Sequence, residues 1–170
     1  MPVHFYSPLP DLQDLEARQV WNRRSSLAGI DFNLEGQVAC LTEIGQHFGR
    51  ECDWPLTSTG NPARFHTENG CFSYGCAAST HGILRKFKPR RVIEIGSGNS
   101  SLVIAAALGI NSRETGKTTE YAIVDPYPRS VIENSLPELS QLIRQRVELL
   151  DVSFFDQLRD KDVQIGRAHV

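Results

Sequence analysis

Residues 91–101, with the sequence Arg-Val-Ile-Glu-Ile-Gly-Ser-Gly-Asn-Ser-Ser, constrain the fold more than any other part of the chain. A short apolar run ends in Gly-x-Gly, and a small polar cluster and the apolar segment 102–108 follow it. This order predicts a buried strand over 92–95, a tight glycine turn, and a helix over 100–108 that ends at Gly109. Because glycine lacks a Cβ and tolerates positive φ, such a turn lets a ligand approach the backbone. It therefore indicates a site for a nucleoside-like cofactor.

Strands and helices alternate after this turn. A polar loop over 111–119 leads to a second strand over 121–124, and a helix is expected from Ser135 to about Arg144. A third strand is expected over 147–150, and a fourth begins over 162–165. The alternation predicts an α/β fold with a Rossmann-like parallel sheet, joined by helical crossovers.

The residues before the turn are expected to be mainly helical. A short helix is predicted over 11–22. A second helix, capped by Asn33, has apolar residues at 34, 38, 41, 44 and 48 on one face and ends at Gly49. A loop over 51–70 leads to a third helix over 74–87, which Pro89 stops. The predicted domains are a helical and loop extension over 1–75 and a cofactor-binding half domain over 76–164.

Composition and charge exclude several classes of protein. The chain has 170 residues, 40% of them apolar and 22% charged, which is typical of a globular domain. A net charge of −2 without a basic run disfavours nucleic-acid binding through phosphate contacts. No apolar run approaches the ~20 residues that a membrane span needs. The first residues lack the features of a signal peptide, so a cytoplasmic location is expected.

The four cysteines do not form a C-x-x-C pair. A zinc site built from Cys52, Cys71 and Cys76 with His66 or His81 is conceivable, but zinc ligands are normally spaced more tightly. Buried or incidental thiols are the better interpretation, and no metal site is predicted.

Three acidic residues are expected at the carboxyl ends of the strands, where ligands bind in open α/β sheets. Glu94 lies at the turn, Asp125 follows the second strand, and Asp151 follows the third. Each acid taken alone is more often a helix cap or a loop residue. Their order favours a nucleoside site, in which Asp125 accepts hydrogen bonds from ribose hydroxyls. The third glycine of a dinucleotide fingerprint is replaced by Ser101, which disfavours NAD.

The sequence Glu94-Ile95-Gly96-Ser97-Gly98 resembles the E/D-x-G-x-G motif of class I S-adenosylmethionine-dependent methyltransferases. The resemblance implies that Glu94 helps to order the methionine end of the cofactor and that the glycines admit it. It also implies a ribose-binding carboxylate and an adenine contact after the third strand. The cofactor-binding residues implied are Glu94, Gly96, Ser97, Gly98, Asp125, Asp151 and Val152.

Further segments, 5–11, 29–33 and 88–94, resemble a bacterial subfamily of stand-alone class I methyltransferases, and the likeness covers most of residues 5–162. It implies a seven-stranded sheet and a loop over 65–75 near the sulfonium. This loop departs from the pattern, since Cys76 follows Tyr74-Gly75 where relatives have an acid. Tyr74 is therefore expected either to contact the cofactor or to pack.

Residues 165–170 resemble the translation of a sequencing adapter, and we interpret them as a non-native tail; a genuine C-terminus is the alternative. On this interpretation the substrate half of the fold is absent and the chain is an inactive cofactor-binding portion. A sheet in the order 3-2-1 would leave the first strand with an open edge, which invites aggregation. His169 falls in this tail and receives no role.

The favoured hypothesis is an enzyme that transfers a methyl group to a small-molecule or glycan acceptor, with catalytic residues that the sequence does not identify. An NAD(P)-dependent oxidoreductase fragment and a non-catalytic nucleoside-binding module are the alternatives. Neither a nucleic acid nor a membrane is an expected partner, and the sequence leaves the oligomeric state open.

Overall fold

The described structure covers residues 11–24 and 28–166 of a computed structural model. The chain divides into two compact units, Met1–Glu35 and Gly36–Val170. The predicted domain boundary after residue 75 therefore falls inside the second unit. Residues 5–10 of the resemblance and residues 167–170 of the suspected tail, with His169, lie outside the described residues.

The first unit contains helix α1, Leu12–Ala17, and a 3₁₀ turn, Val20–Asn22. The Asp11 side chain caps α1, because it accepts hydrogen bonds from the backbone N–H groups of Gln13 at 3.0 Å and Asp14 at 3.2 Å. The single helix predicted over 11–22 is interrupted, since Gln19 adopts a left-handed conformation with φ of 49°.

The second unit is built on a parallel sheet of four strands in the order β3-β2-β1-β4. The strands are β1 (Arg91–Ile95), β2 (Glu120–Val124), β3 (Gln141–Ile143) and β4 (Val163–Gly166). The predictions of a first and a second strand are confirmed, and so is the start of a fourth. The all-parallel sheet confirms the α/β class and is compatible with a Rossmann-like fold.

Strand β1 lies inside the sheet, with β2 on one side and β4 on the other. The prediction that the first strand has an open edge is therefore wrong. Ile165 and Gly166, which begin the suspected tail, pair with Glu94 and Ile95 of β1. The turn before β4 is fastened by Asp162, whose carboxylate accepts the backbone N–H of Arg91 at 2.9 Å.

Four helices belong wholly or largely to this unit: α2 (Leu34–Phe48), α3 (Tyr74–Phe87), α4 (Asn99–Thr115) and the short α5 (Ser130–Ser135). One cluster of buried side chains joins α3, α4 and α5 to the sheet. Its members are Phe65, Ala77, Leu84, Val92, Leu102, Val103, Ile104, Ala107, Leu108, Tyr121, Ile123 and Ile132.

A buried guanidinium ties α3 to α4 and to the 3₁₀ turn Gly49–Cys52. Arg85 is 2% exposed, and its Nε donates to Glu51 at 2.7 Å. It also donates to Glu114 at 3.1 Å and to Asn111. Buried charges are tolerated when they are paired in this way, so the polar cluster fixes how these elements meet.

Helix α4 runs to Thr115, seven residues beyond its predicted last residue, Leu108. The predicted loop over 111–119 is therefore wrong in its first half. Glycine lowers helix propensity but does not end a helix whose later residues are buried. Asn111 is 3% exposed and its amide donates to the Leu84 carbonyl at 2.9 Å. The helix ends at Gly116, which has a φ of 67°.

Helix α3 has the predicted bounds, but the predicted apolar face of α2 is largely solvent-exposed. Ile44 is buried and Phe48 is half-buried, whereas Leu34, Val38 and Leu41 are more than half exposed. The periodic pattern predicted the helix correctly but not which part of it packs.

The third strand is the largest error in the predicted order of elements. The segment predicted as a helix from Ser135 to Arg144 contains β3, and the predicted strand over 147–150 is a 3₁₀ turn, Val147–Leu149. Strand β3 is selected by pairing with β2, because Ser140 N–H donates to the Tyr121 carbonyl at 2.8 Å and Asp125 N–H to the Ile143 carbonyl at 3.0 Å.

Candidate functional site

The glycine turn follows β1 directly. Gly96 has a φ of 77°, a left-handed conformation that glycine adopts without the strain of a Cβ. Its N–H donates to the Val124 carbonyl at 2.8 Å, which holds the turn against the end of β2. The Gly98 N–H donates to Ser101 Oγ at 2.9 Å, and α4 begins at Asn99. The chain thus reverses from strand to helix within three residues.

Glu94 lies beneath this turn and is 1% exposed. Its carboxylate accepts hydrogen bonds from Ser100 Oγ at 2.5 Å, from Ser101 Oγ at 2.8 Å and from the hydroxyl of Tyr121. Burial raises the pKa of the Glu94 carboxyl, and the three hydroxyl donors oppose that rise. This carboxylate fastens the first turn of α4 to β1 and β2.

The same burial acts on the phenol. Burial raises the pKa of Tyr121 well above its ordinary value of 10, and the neighbouring Glu94 adds to the rise. The phenol therefore stays protonated and donates to the carboxylate. The pair is a fixed structural element under the turn and not a group on its surface.

Asp125 follows β2 and connects the two strand ends. Its Oδ2 accepts hydrogen bonds from the N–H of Ser97, at 2.8 Å, and from the Ser97 hydroxyl. Its Oδ1 accepts the N–H of Tyr127 at 2.8 Å. A carboxylate oxygen can accept two hydrogen bonds, so Oδ1 keeps one acceptor position for a ligand.

A cleft of about 510 Å³ opens over these residues. Three segments form its walls: the glycine turn, the loop after β2 and the segment after β3. Its lining residues are Ile95, Gly96, Ser97, Val124, Asp125, Pro126, Tyr127, Arg146, Val147 and Glu148. The structure thus brings together Gly96, Ser97 and Asp125 of the predicted site. Gly98 and Glu94 support the turn without lining the cleft.

Asp151 and Val152 were predicted to follow the third strand, and that premise is wrong. Strand β3 ends at Ile143, and Asp151 caps a separate 3₁₀ segment, Val152–Gln157, by accepting the Ser153 N–H at 2.8 Å. Both residues are exposed and neither lines the cleft. The positions that follow β3 and line the cleft are residues 146–148.

The loop over 65–75 packs through its aromatic side chains and does not line this cleft. Phe65 is 4% exposed, and its ring meets Trp54 edge-to-face at 5.1 Å between centroids. The ring of Tyr74 also lies against Trp54, at 5.9 Å. None of residues 65–75 is among those that line the cleft, so packing describes Tyr74 better than cofactor contact does.

Sequence reasoning missed the hydroxyl groups around Glu94 and the segment after β3. Ser100 and Ser101 follow the turn directly, and a buried carboxylate requires donors of this kind. Tyr121, in an otherwise apolar strand, also needs a partner for its hydroxyl. These two requirements, taken together, point to the Glu94 network. No comparable pattern distinguishes Arg146 or Val147.

These features define the class of protein. It is an α/β protein with a four-stranded parallel sheet and a cleft at the carboxyl ends of β1 and β2. Over residues 11–24 and 28–166, no helix is both long and apolar enough to cross a membrane. In the same ranges, no three His, Cys, Asp or Glu side chains are gathered as metal ligands would be.

The chain is 31% identical, over 166 residues, to an uncharacterized protein of Archaeoglobus fulgidus. The matched region covers 94% of this chain and 73% of the archaeal protein. The chain belongs to the family of that protein. It matches no model of a known protein family. No solved structure matches it.

Proposed function

We propose that the cleft binds S-adenosylmethionine and that the protein is a class I methyltransferase acting on a small-molecule or glycan acceptor. One observation supports this above the others. A left-handed glycine and a carboxylate, Gly96 and Asp125, line one cleft at the ends of neighbouring parallel strands. This is where open α/β sheets bind nucleotides.

The residues of the cleft fit the parts of this cofactor. Gly96 presents no side chain, so the methionine portion is able to lie against backbone. The Oδ1 atom of Asp125 offers its remaining acceptor position to a ribose hydroxyl. Pro126, Tyr127 and Val147 supply apolar surface for the adenine, and Tyr127 is 88% exposed. The volume of about 510 Å³ lies within the ~300–1,000 Å³ usual for such sites.

When bound, the cofactor supplies a sulfonium methyl group that a nucleophile of the acceptor attacks. The chain contributes position: Ser97 and Asp125 hold the turn and the β2 loop together, so the cofactor meets a preformed site. Orientation of this kind is a large part of catalysis in reactions between two bound molecules. Glu94 contributes indirectly, since it fixes the start of α4.

Isothermal titration calorimetry with S-adenosylhomocysteine, NAD and adenosine tests the proposal. We expect S-adenosylhomocysteine to bind and NAD not to bind. Binding of NAD alone would instead support an oxidoreductase. Equal affinity for adenosine and S-adenosylhomocysteine would support a nucleoside-binding module, since the methionine end would then contribute nothing.

Two aspartates provide a matched pair of variants. Asp125→Asn keeps an oxygen that accepts backbone N–H groups but removes the charge and an acceptor. We expect it to lower the affinity for S-adenosylhomocysteine about ten-fold, the equivalent of about 1.4 kcal/mol of binding free energy. Asp151→Asn should leave the affinity unchanged, because Asp151 lies outside the cleft. Equal losses in the two variants would contradict the assignment of the cleft.

A further inference from the structure

A second cleft, of about 480 Å³, opens beside the start of α4. It is formed by the loop 58–66, the first residues of α4, and α5 with the residue before it. Its lining residues are Ser58, Asn61, Pro62, Arg64, His66, Asn99, Leu102, Arg129, Ser130, Val131, Asn134 and Ser135. None of them lines the first cleft.

The second cleft is cationic although the chain has a net charge of −2. Arg64 and Arg129 line it, and no aspartate or glutamate does. Arg129 makes a long hydrogen bond, 3.4 Å, to the side-chain oxygen of Asn99. Within the described residues, neither arginine forms an ion pair with a carboxylate. A guanidinium fork without a carboxylate partner suits planar or tetrahedral oxyanions.

His66 also lines this cleft, and its ring contains an unsatisfied polar atom. Its Nδ1 atom is buried and has no hydrogen-bond partner within the described part of the chain. Most buried side-chain polar atoms in proteins have a partner, and an exception requires an explanation. Because Nδ1 is shielded from solvent, it is the other atoms of the imidazole that line the cleft.

The loop that presents these groups is held in place. Phe65, between Arg64 and His66, is buried against Trp54 and Phe72, with ring centroids 5.1 Å and 6.2 Å apart. The side chain of Asn61 accepts the N–H of Ala63 at 2.9 Å. The anchored phenylalanine fixes the backbone from which the arginine and the histidine project.

The two clefts flank the same two connections. Ser97 lines the first cleft and Asn99 the second, two residues apart at the start of α4. Tyr127 and Arg129 are related in the same way in the loop after β2. Molecules bound in the two clefts would therefore contact residues two positions apart in the same two connections. Methyl transfer requires a donor and an acceptor that are close neighbours.

We propose that the second cleft binds the methyl acceptor and recognises it by an anionic group, a carboxylate or a phosphate. This inference rests on the proposed function for the role of the acceptor, but the binding of an anion does not. The bound oxyanion receives hydrogen bonds from Arg64 and Arg129, and the acceptor meets the imidazole of His66.

Nuclear magnetic resonance titration of the ¹⁵N-labelled full chain with inorganic phosphate, and separately with acetate, tests this at constant ionic strength. We expect saturable shifts of the Asn61, Arg64 and Asn134 amides with at least one anion. The anion that binds more tightly identifies the acceptor group as phosphate or carboxylate. Arg64→Gln with Arg129→Gln should weaken that binding at least ten-fold. Arg159→Gln, an exposed arginine outside both clefts, should not change it.

The same titration is repeated with S-adenosylhomocysteine present. We expect the affinity for the anion to change less than two-fold, since the clefts share no lining residue. Displacement of the anion would overturn the inference, because the carboxylate of the cofactor would then occupy the cationic cleft. Absence of saturable shifts, or unchanged binding in the double arginine variant, would also overturn it. Failure of S-adenosylhomocysteine to bind, with the anion still bound, would refute the proposed function and the acceptor role but not the anion site.

Discussion

Glu94→Gln should abolish a loss of stability that the folded protein undergoes as the pH rises. Burial raises the pKa of the Glu94 carboxyl above its ordinary 4.5. Between pH 4.5 and the raised value, the folded protein holds a proton that the unfolded chain has released. The free energy of unfolding therefore falls with increasing pH in this window, by at most about 1.4 kcal/mol per pH unit for one proton. Glutamine does not titrate and has no such slope.

Urea denaturation of the two proteins between pH 4.5 and 8, followed by circular dichroism and tryptophan fluorescence, measures this difference. The free energy of unfolding of Glu94→Gln, relative to the parent, should increase with pH and level off above the raised pKa. Glu68→Gln, a change at an exposed loop residue, is the control for the loss of one carboxylate. A constant difference between the Glu94 variant and the parent would refute the reasoning. A relative stability that decreases with pH would mean that the three hydroxyl donors lower the pKa of Glu94 more than burial raises it.

Two glycine predictions concern packing and backbone conformation. In Gly82→Ala the new Cβ would lie 2.1 Å from Cγ2 of Ile44, and overpacking of about 1–3 kcal/mol should offset the gain of about 1 kcal/mol in helix propensity. In Gly45→Ala the new Cβ meets open space, so this variant should have a higher melting temperature than the parent. Equal melting temperatures of the Gly45 and Gly82 variants would contradict the close contact between Gly82 and Ile44. Gly96→Ala and Gly116→Ala, with φ of 77° and 67° in the parent, should each cost about 1–2 kcal/mol in unfolding experiments. Calorimetry should detect weaker S-adenosylhomocysteine binding in the Gly96 variant but not in the Gly116 variant. Equal losses of affinity in the two variants would place the glycine turn outside the binding site.

Elements that are specified locally were predictable from the sequence. Helix α3 has a Ser73 cap, an apolar face and a stop before Pro89, and its predicted and observed bounds agree. Strands β1 and β2 are mainly apolar segments between polar ones, and each begins one residue earlier than predicted. In these segments the residues that decide the structure lie within or next to the element.

Elements that depend on distant partners were not predictable in this way. Strand β3 has three residues, Gln141–Ile143, and it exists because β2 offers an unpaired edge. The segment 147–150 is more apolar than β3, but the edge of β2 is already paired with residues 141–143. Helix α4 passes Gly109 because Asn111 bonds to Leu84 of α3, a contact that neither segment indicates alone.

The candidate site shows the same division between location and contact. Sequence reasoning assigned Asp125 to the cleft, and the residue lines it, but three of its acceptor positions already bind the protein. A ribose would therefore share a carboxylate whose first role is to hold the turn. The contact between Glu94 and Tyr121 follows from register, because Glu94 pairs with Ile123 and Tyr121 pairs with Val92. Side chains two residues apart project to the same face of a sheet, so this register places the phenol beside the carboxylate. A shift of one residue would move Tyr121 to the opposite face and leave a buried carboxylate without one of its donors.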